Sequence, residues 1–378
     1  MHEVTIISKK PRDNEVTDDE LIIDMNRYGK VNIIELGGSP IPNRHAIAMI
    51  LNLFFIPDVS FFWLMINIGK IKRIIKTNSI ELLIVSNSPS AYILAAILKN
   101  KLGIKFVIDF ADKWVGNPGI REYSKLHRMV QTKLENWVVR KSSGFTFVSK
   151  HFESDYDKNY PNHPKLLLQN GYDPEDFLTP VQEQDRSRDI ITFLHFGSIY
   201  DETNIEFAYA FAQAISRNPS MKNMVRLKII GKIGKKRLLE FCGLRENCSI
   251  EILPQISHSQ LIMEIHNSDI LVFSRSGKLS HYDTVPSRLA EYLGSGKPVI
   301  ACCVSGSEIE RICRECGCWR IVDFRNISDI VKAFEDALIF LAENRTIPSW
   351  EPNYKGLAEI RWDIIVDKFN NFLEAVTR

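Results

Sequence analysis

In DTVPSRLAEYLGSGKPVI, residues 283–300, two carboxylates stand eight positions apart, Asp283 ahead of a prolyl turn and Glu291 inside the helix that should follow it. The residues between them suggest what such a pair can do. Thr284 can cap a helix, and Pro286 fits its first turn, where a missing N–H costs nothing. A helix is therefore expected from there to Leu293, ending at Gly294 and Gly296. Its unpaired N–H groups near residues 285–287 would favour a phosphate. Glu291 would lie about 7 Å further along the axis at ~1.5 Å per residue. There a carboxylate can accept from both hydroxyls of a ribose. Asp283, in the loop, would reach whatever the phosphate carries. A solvated or structural helix carboxylate is the plain alternative for Glu291, so its surroundings must decide.

Those surroundings follow from the rest of the pattern. Short β-rich runs ending in turn residues alternate with stretches of helical spacing. The first half holds HEVTIIS, VNIIELGG, ELLIVSNSPS, KFVIDFAD and GFTFVSK; the second holds ITFLHFGS, RLKIIGKI, SIEILPQI, DILVFSRS and KPVIACCVSG. Such runs are typical of buried parallel strands, and two doubly wound sheets are expected. Residues 171–190 are charged and poor in apolar side chains, as a linker would be. This gives an N-terminal domain over 1–180, a C-terminal domain over 190–358, and an amphipathic helix over 360–378 assigned to the N-terminal domain. Open parallel sheets bind ligands beyond the carboxyl ends of their strands. In the second domain those ends are Gly197-Ser198, Gly231-Lys232, Ser274-Arg275 and Ser305-Gly306. Glycine there lets backbone N–H groups approach an anion, so the set reads as an anion pocket.

Composition narrows the partner. The 378 residues carry 48 Lys and Arg against 46 Asp and Glu, a net charge of +2, so no global field points to nucleic acid. Seven cysteines, an odd number, and no charged-then-apolar leader fit the reducing cytoplasm. CRECGC offers one CxxC with no second pair, which favours free thiols over zinc. The apolar stretch 46–69 approaches the length of a membrane span, but Pro57 and Asp58 divide it, so two buried helices are expected. KIKRIIK follows at once, and its Lys70, Lys72, Arg73 and Lys76 leave peripheral docking on anionic lipid open. The DxD of Asp155 and Asp157 lies in a polar segment of the first half and reads as a solvated pair.

The D-x7-E spacing resembles the E-x7-E signature of the retaining glycosyltransferases of family four, in particular those of bacterial surface-polysaccharide synthesis. Three further stretches resemble that family in the expected order: VIDFADKW its D-x-R-D-x-W segment with Ala111 for the arginine, LLLQNGYDPEDF its NG-x-D-x-x-x-F motif, and FLHFGSIYDETN its first donor-domain strand and loop. The resemblance covers nearly the whole chain. It implies α/β architecture of the GT-B type, two Rossmann-like doubly wound parallel-sheet domains facing a central cleft. It also implies transfer of a hexose or N-acetylhexosamine, with retention and without a metal or other cofactor, from a nucleotide diphosphate sugar to a saccharide acceptor, which is expected to be lipid-linked. The protein would then be cytoplasmic, with peripheral contact at the inner face of the membrane.

Residue by residue, the family's ribose-binding glutamate carries over to Glu291 and its donor-sugar glutamate to Asp283, one carbon shorter. The family's diphosphate-binding arginine is absent, since Ser198 follows Gly197 and no lysine appears before Asn204. Lys232 and Arg288 are the cations left to replace it, beside the Ser287 backbone, and each also fits an exposed surface charge. In the acceptor domain, Asp112 is expected to orient an acceptor hydroxyl, with Asp109 beside it and Trp114 stacking on a sugar face. A turn or cap aspartate is the alternative for Asp112. Ser88, in SNSPSA, would offer a hydroxyl to a lipid diphosphate or sugar. HEVTIIS resembles the family's second strand, so the leading strand, its loop and first helix are expected to be missing, unless the domain is naturally shorter. A GT-B epimerase or phosphorylase, and a non-catalytic sugar-nucleotide binder, remain open. A Rossmann dehydrogenase is disfavoured, because no G-x-G-x-x-G follows any strand.

Overall fold

The structure is a computed structural model that describes residues 3–10, 31–38, 58, 60–86, 88–117, 124–178, 190–246, 248–275, 284–344 and 350–378. It divides into two compact units. Unit 1 comprises Met1–Leu168 with Lys368–Arg378, and unit 2 comprises Gln169–Asp367. Both are α/β with parallel sheets.

In unit 1, β1 (Val4–Lys9) and β2 (Val31–Leu36) form a parallel pair, and β3 (Leu82–Ser86), β4 (Lys105–Phe110), β5 (Gly144–Phe147) and β6 (Lys165–Leu167) form a second parallel sheet in that order. The apolar runs explain the central strands: all of β5 is buried, and only Lys105 and Asp109 of β4 are even partly exposed. Three long helices accompany them, α1 (Ser60–Thr77), α2 (Pro89–Leu102) and α3 (Lys125–Lys141), and the short α4 (Glu153–Asn159) leads to β6. Proline opens α2 and Gly103, at φ 73°, ends it in the left-handed conformation. Leu64, Ile71 and Ile75 of α1 pack with Leu94 and Leu98 of α2. Residues 46–57 of the long apolar stretch lie outside the described residues. No helix among the described residues is long and apolar enough to cross a membrane.

Unit 2 holds a six-stranded parallel sheet of β7 (Ile191–Phe196), β8 (Val225–Ile230), β9 (Ile250–Leu253), β10 (Ile270–Ser274), β11 (Val299–Cys303) and β12 (Arg320–Asp323). Its spatial order is β12-β11-β10-β7-β8-β9, so the direction of winding reverses between β7 and β10. Between the strands run α5 (Glu175–Leu178), which precedes β7, then α6 (Glu206–Arg217), α7 (Lys235–Leu244), α8 (His258–His266), α9 (Arg288–Gly294) and α10 (Glu308–Glu315), followed after β12 by α11 (Ile327–Asn344) and α12 (Tyr354–Glu359). One sheet face packs against α6 and α11, through residues such as Phe193, Phe211 and Phe334; the other packs against α9, α10 and α12.

Two strands, β6 and β12, were not anticipated from the sequence. The charged stretch at 171–190 also differs from a plain linker. Tyr172 donates its N–H to Ile360 and accepts from Trp362, and Glu175–Leu178 is helical, so the stretch starts inside unit 2; residues 179–189 lie outside the described residues. The final helix, α13 (Trp362–Thr377), begins in unit 2 and ends in unit 1, where Phe372 and Val376 pack against Gly144 at the start of β5. All seven cysteines are free thiols, and Cys302, Cys303, Cys313 and Cys316 are buried; burial pushes Cys316 up to about 12.

Candidate functional site

The reversal between β7 and β10 is the point of a doubly wound sheet where ligands bind. There the two strands pair only at Ile270 with Phe193 and Leu271 with Leu194, whereas β7 and β8 pair along six residues. Beyond Leu194 the backbone of β7 finds its partner in a side chain. The Tyr292 hydroxyl of α9 accepts from Phe196 N–H at 2.7 Å and donates to the Phe196 carbonyl at 3.0 Å, with its ring stacked on Phe196 at 3.9 Å. This double bond pattern fixes the start of α9 over the carboxyl end of β7.

Arg288, the first residue of α9, completes the switch point. Its Nη2 donates to the carbonyl of Ser274, the last residue of β10, at 3.3 Å, and its guanidinium lies 5.8 Å from the Phe273 ring centre. It occupies the space that a side chain at Gly197 would need: a Cβ there would fall 1.8 Å from Arg288 Nη1, and Gly197 has φ +117°. Gly231, at φ +144°, is held to glycine in the same way, since a Cβ would meet the Gly197 carbonyl at 2.5 Å. Past these glycines the loops of β7 and β8 stay joined. Ile199 N–H donates to Lys232 and Gly234 N–H donates back to Ile199, while Asp201 Oδ1 caps α7 by accepting from Lys236 N–H at 2.9 Å. Ser198 is half-buried in this fixed turn. Lys232 presents an exposed side chain.

Glu291 sits in the first turn of α9, half-buried, and its carboxylate takes no hydrogen bond from another described residue. Burial raises its carboxyl above the ordinary value of 4.5; the nearby His258 and Arg288 oppose that shift and Asp176 adds to it. His258 Nε2 lies 2.9 Å from Asp176 Oδ2, which links the start of α8 to α5. The NGYDPEDF segment supplies this support. Asn170 Nδ2 donates to the Val285 carbonyl at 3.1 Å, Tyr172 fills the space over Gly294, and Asp176 meets His258.

A further group faces the same edge. His195 of β7 is buried, stacked on Phe207 at 4.8 Å, with Nδ1 2.8 Å from the Val272 carbonyl. A carbonyl only accepts, so Nδ1 carries the hydrogen and Nε2 is a bare acceptor. That Nε2 has no partner among the described residues, and neither does Arg288 Nε. Burial, followed by the Arg288 charge, pushes His195 down to about 3, so the ring stays neutral. The edge thus combines a fixed cation, a bare acceptor, a close-approach backbone and an unpaired carboxylate, a set able to hold an anion joined to a vicinal diol.

Several sequence expectations are corrected here. Thr284 does not cap the helix. Its hydroxyl accepts from Arg275 Nη2 at 3.3 Å, the turn of Pro286 and Ser287 intervenes, and Ser287 takes the cap position with its side chain exposed and making no capping bond. The helix therefore starts at Arg288, and Glu291 lies in its first turn instead of deeper along the axis. Asp283 lies outside the described residues.

The acceptor-side residues all belong to unit 1. Asp109 ties three strands together, accepting from Ser86 of β3 at 2.8 Å and Thr146 of β5 at 2.7 Å. Asp112 is exposed in the loop that follows β4. Trp114 does not offer a face for stacking: it is 3% exposed, packed on Tyr92, and its Nε1 donates to Gln131 of α3 at 2.5 Å. Ser88 donates to Asp58 at 3.2 Å, and the same carboxylate accepts from Ser90 N–H at 2.9 Å, so an internal carboxylate holds the start of α2. Asp155 pairs with Lys113 and Asp157 with Lys165, each carboxylate more than half exposed. Among the described residues no group of three or more His, Cys, Asp and Glu could hold a metal ion.

No protein-family model matches the chain, and no curated protein matches it. Solved structures do resemble it. Sucrose-phosphate synthase (tll1590) from Thermosynechococcus elongatus aligns at TM-score 0.68 and 14% identity, over 99% of this chain and 89% of that one. Anabaena Alr3699/HepE in complex with UDP and glucose aligns at 0.63 and 13% identity, over 99% of this chain and 100% of that one. The E. coli structure described as trehalose-6-phosphate bound with UDP-2-fluoro glucose aligns at 0.65 and 10% identity, over 100% of this chain and 99% of that one. At such identities the likeness concerns architecture, and the architecture is the α/β GT-B fold.

Proposed function

We propose that the protein is a glycosyltransferase that moves a hexose or N-acetylhexosamine from a nucleotide diphosphate sugar to a saccharide acceptor carried on a lipid, with retention at the anomeric carbon. The observation that carries this reading is the pairing, on one helix at the switch point, of Arg288 against the Gly197 turn with an unpaired, half-buried Glu291. Glu291 accepts from the ribose hydroxyls. Arg288, the backbone at Gly197 and Ser198, and the Ser287 N–H hold the diphosphate, with Lys232 reaching it from the neighbouring loop. As the bond to the sugar breaks, negative charge collects on the leaving diphosphate, and a fixed guanidinium meets it without reorganising. His195 Nε2 supplies a neutral acceptor at the same edge. Asp283 contacts the donor sugar, and Asp112 orients the acceptor hydroxyl. No metal is assigned a role, and the enzyme acts at the cytoplasmic side of a membrane.

The fold it shares with proteins that bind UDP, glucose and UDP-2-fluoro glucose supports a uridine nucleotide as the first donor to test. Titration calorimetry with a panel of nucleotide sugars should give binding by at least one. Glu291→Ala should then weaken that binding at least about a hundredfold, the lower end of what two hydrogen bonds to a charged group at ~1.5–3 kcal/mol each imply. Unchanged affinity would remove the clamp. Product analysis after one turnover separates transfer from epimerisation and from binding alone.

A further inference from the structure

The chain as a whole is nearly balanced in charge, with 48 basic and 46 acidic residues. The three long helices of unit 1 are not. α1 carries Lys70, Lys72, Arg73 and Lys76 and has no acidic residue in its 18 positions. α2 has two lysines and no acidic residue. α3 has five Lys and Arg, and its one acidic side chain, Glu135, is buried.

The topology gathers this charge on one side. β3, β4 and β5 are adjacent and parallel, and α2 and α3 are the connections between them. Right-handed crossovers in one direction put both helices on the same sheet face. α1 packs against α2 through Leu64, Ile71 and Ile75, so α1 and α3 flank α2.

The outward sides of the flanking helices also carry aliphatic side chains that packing leaves uncovered. On α1, Met65 and Ile66 are 41% and 64% exposed, one turn ahead of the exposed Lys70, Arg73 and Lys76. On α3, Leu126 and Met129 are 65% and 47% exposed, interleaved with exposed Lys125, Arg128 and Lys133. Apolar and basic residues sharing one outward stripe are the pattern of helices that lie in a lipid headgroup layer. Nucleic acid, the other common polyanion, is gripped by stacking aromatics, and these four exposed side chains are aliphatic.

We propose that this face of unit 1 docks on an anionic phospholipid bilayer. Met65, Ile66, Leu126 and Met129 enter the headgroup region, and the basic residues of α1 and α3 rest on lipid phosphates. The proposal goes beyond sugar transfer and does not depend on it.

Flotation of the full chain with vesicles tests it. Protein should float with vesicles containing phosphatidylglycerol and not with phosphatidylcholine alone, and rising salt should release it as the screening length shortens from ~10 Å at about 0.1 M to ~3 Å at about 1 M. The triple variant Lys70→Gln, Arg73→Gln, Lys76→Gln should partition about a hundredfold less, at roughly fivefold per basic residue near an anionic surface. Ile66→Asp should weaken partition as well. Both variants should keep the melting midpoint and nucleotide affinity of the parent, because all four positions are exposed and none belongs to unit 2. Equal flotation with both vesicle types, no flotation at low salt, or a triple variant that floats like the parent overturns the proposal. So does retention of single-stranded RNA in place of vesicles with Ile66→Asp without effect, which would give the face to nucleic acid. A parent protein that floats but binds no nucleotide sugar would sink the transferase reading and leave this one standing.

Discussion

Near the carboxyl edges of the two sheets, carboxylates are used in opposite ways. In unit 1 the carboxylates are held by neighbouring groups: Asp109 accepts from Ser86 and Thr146, Asp58 from Ser88 and from Ser90 N–H, and Glu135 of α3 from Val115 N–H at 2.8 Å and from Tyr160 at 3.2 Å, although the Ser90 and Ser149 hydroxyls have no partner among the described residues. In unit 2 the corresponding groups leave valence unused. The Glu291 carboxylate takes no hydrogen bond from another described residue, and His195 Nε2 and Arg288 Nε have no partner among them. Leaving such groups unpaired costs stability, and a ligand at the switch point would supply the missing bonds. The contrast sets carboxylates engaged within the fold against one whose side chain is left open.

The comparison breaks most sharply at Gly197. Gly197→Ala forces both a left-handed backbone and a collision with the Arg288 guanidinium, and should cost about 2–4 kcal/mol together with nucleotide binding. A normal melting midpoint with normal binding would show that the guanidinium does not need this turn. The mirror experiment in unit 1 is Asp109→Ala, which strands the buried Thr146 hydroxyl and should lower stability by about 1–3 kcal/mol. Nucleotide affinity of the surviving folded protein should be unchanged, and a parallel loss would mean that the two edges are not independent.

Acidity sharpens the contrast further. The charged form of Glu291 is the one that accepts from hydroxyls, and burial raises its pKa above 4.5. Nucleotide affinity should therefore fall as pH drops through that raised value, by up to about tenfold per pH unit below it, and Glu291→Gln should flatten the profile. Glu135 gives the smallest effect. Burial raises its pKa too, outweighing the Val115 and Tyr160 hydrogen bonds, so its stabilising contribution is fully present below 4.5 and lost as pH rises through the folded-state value. Glu135→Gln should reduce the difference in melting midpoint between acidic and neutral buffer, without touching nucleotide affinity. A profile as steep as the parent's would remove Glu135 from the account.

Sequence pattern exposed what depends on long apolar runs and little of what depends on distant partners. ITFLHF reads as a buried strand because every one of its side chains is covered, whereas RIVD, half-buried with a charge at each end, does not. The start of α9 is hidden from the sequence because Thr284 looks like a cap locally, while what claims its hydroxyl is Arg275 at the end of a different element. Trp114 looked like a sugar platform beside a strand end, but Gln131 of α3 draws its indole inward. The His258 and Asp176 pair lies 82 residues apart in the chain, and no spacing rule points to it. His195 did leave a signal, a lone histidine inside an apolar strand, though its meaning came only with the Val272 carbonyl.

The crossing of α13 between units bears on the order in which the protein takes shape. β5 begins against Phe372 and Val376, and Lys105 at the start of β4 donates to the Thr377 carbonyl. On the ribosome those partners emerge only after the whole of Gln169–Asp367 has been made. The first unit to leave the tunnel is thus the last to be sealed, and it must wait with one end of its sheet uncovered while its neighbour is synthesised.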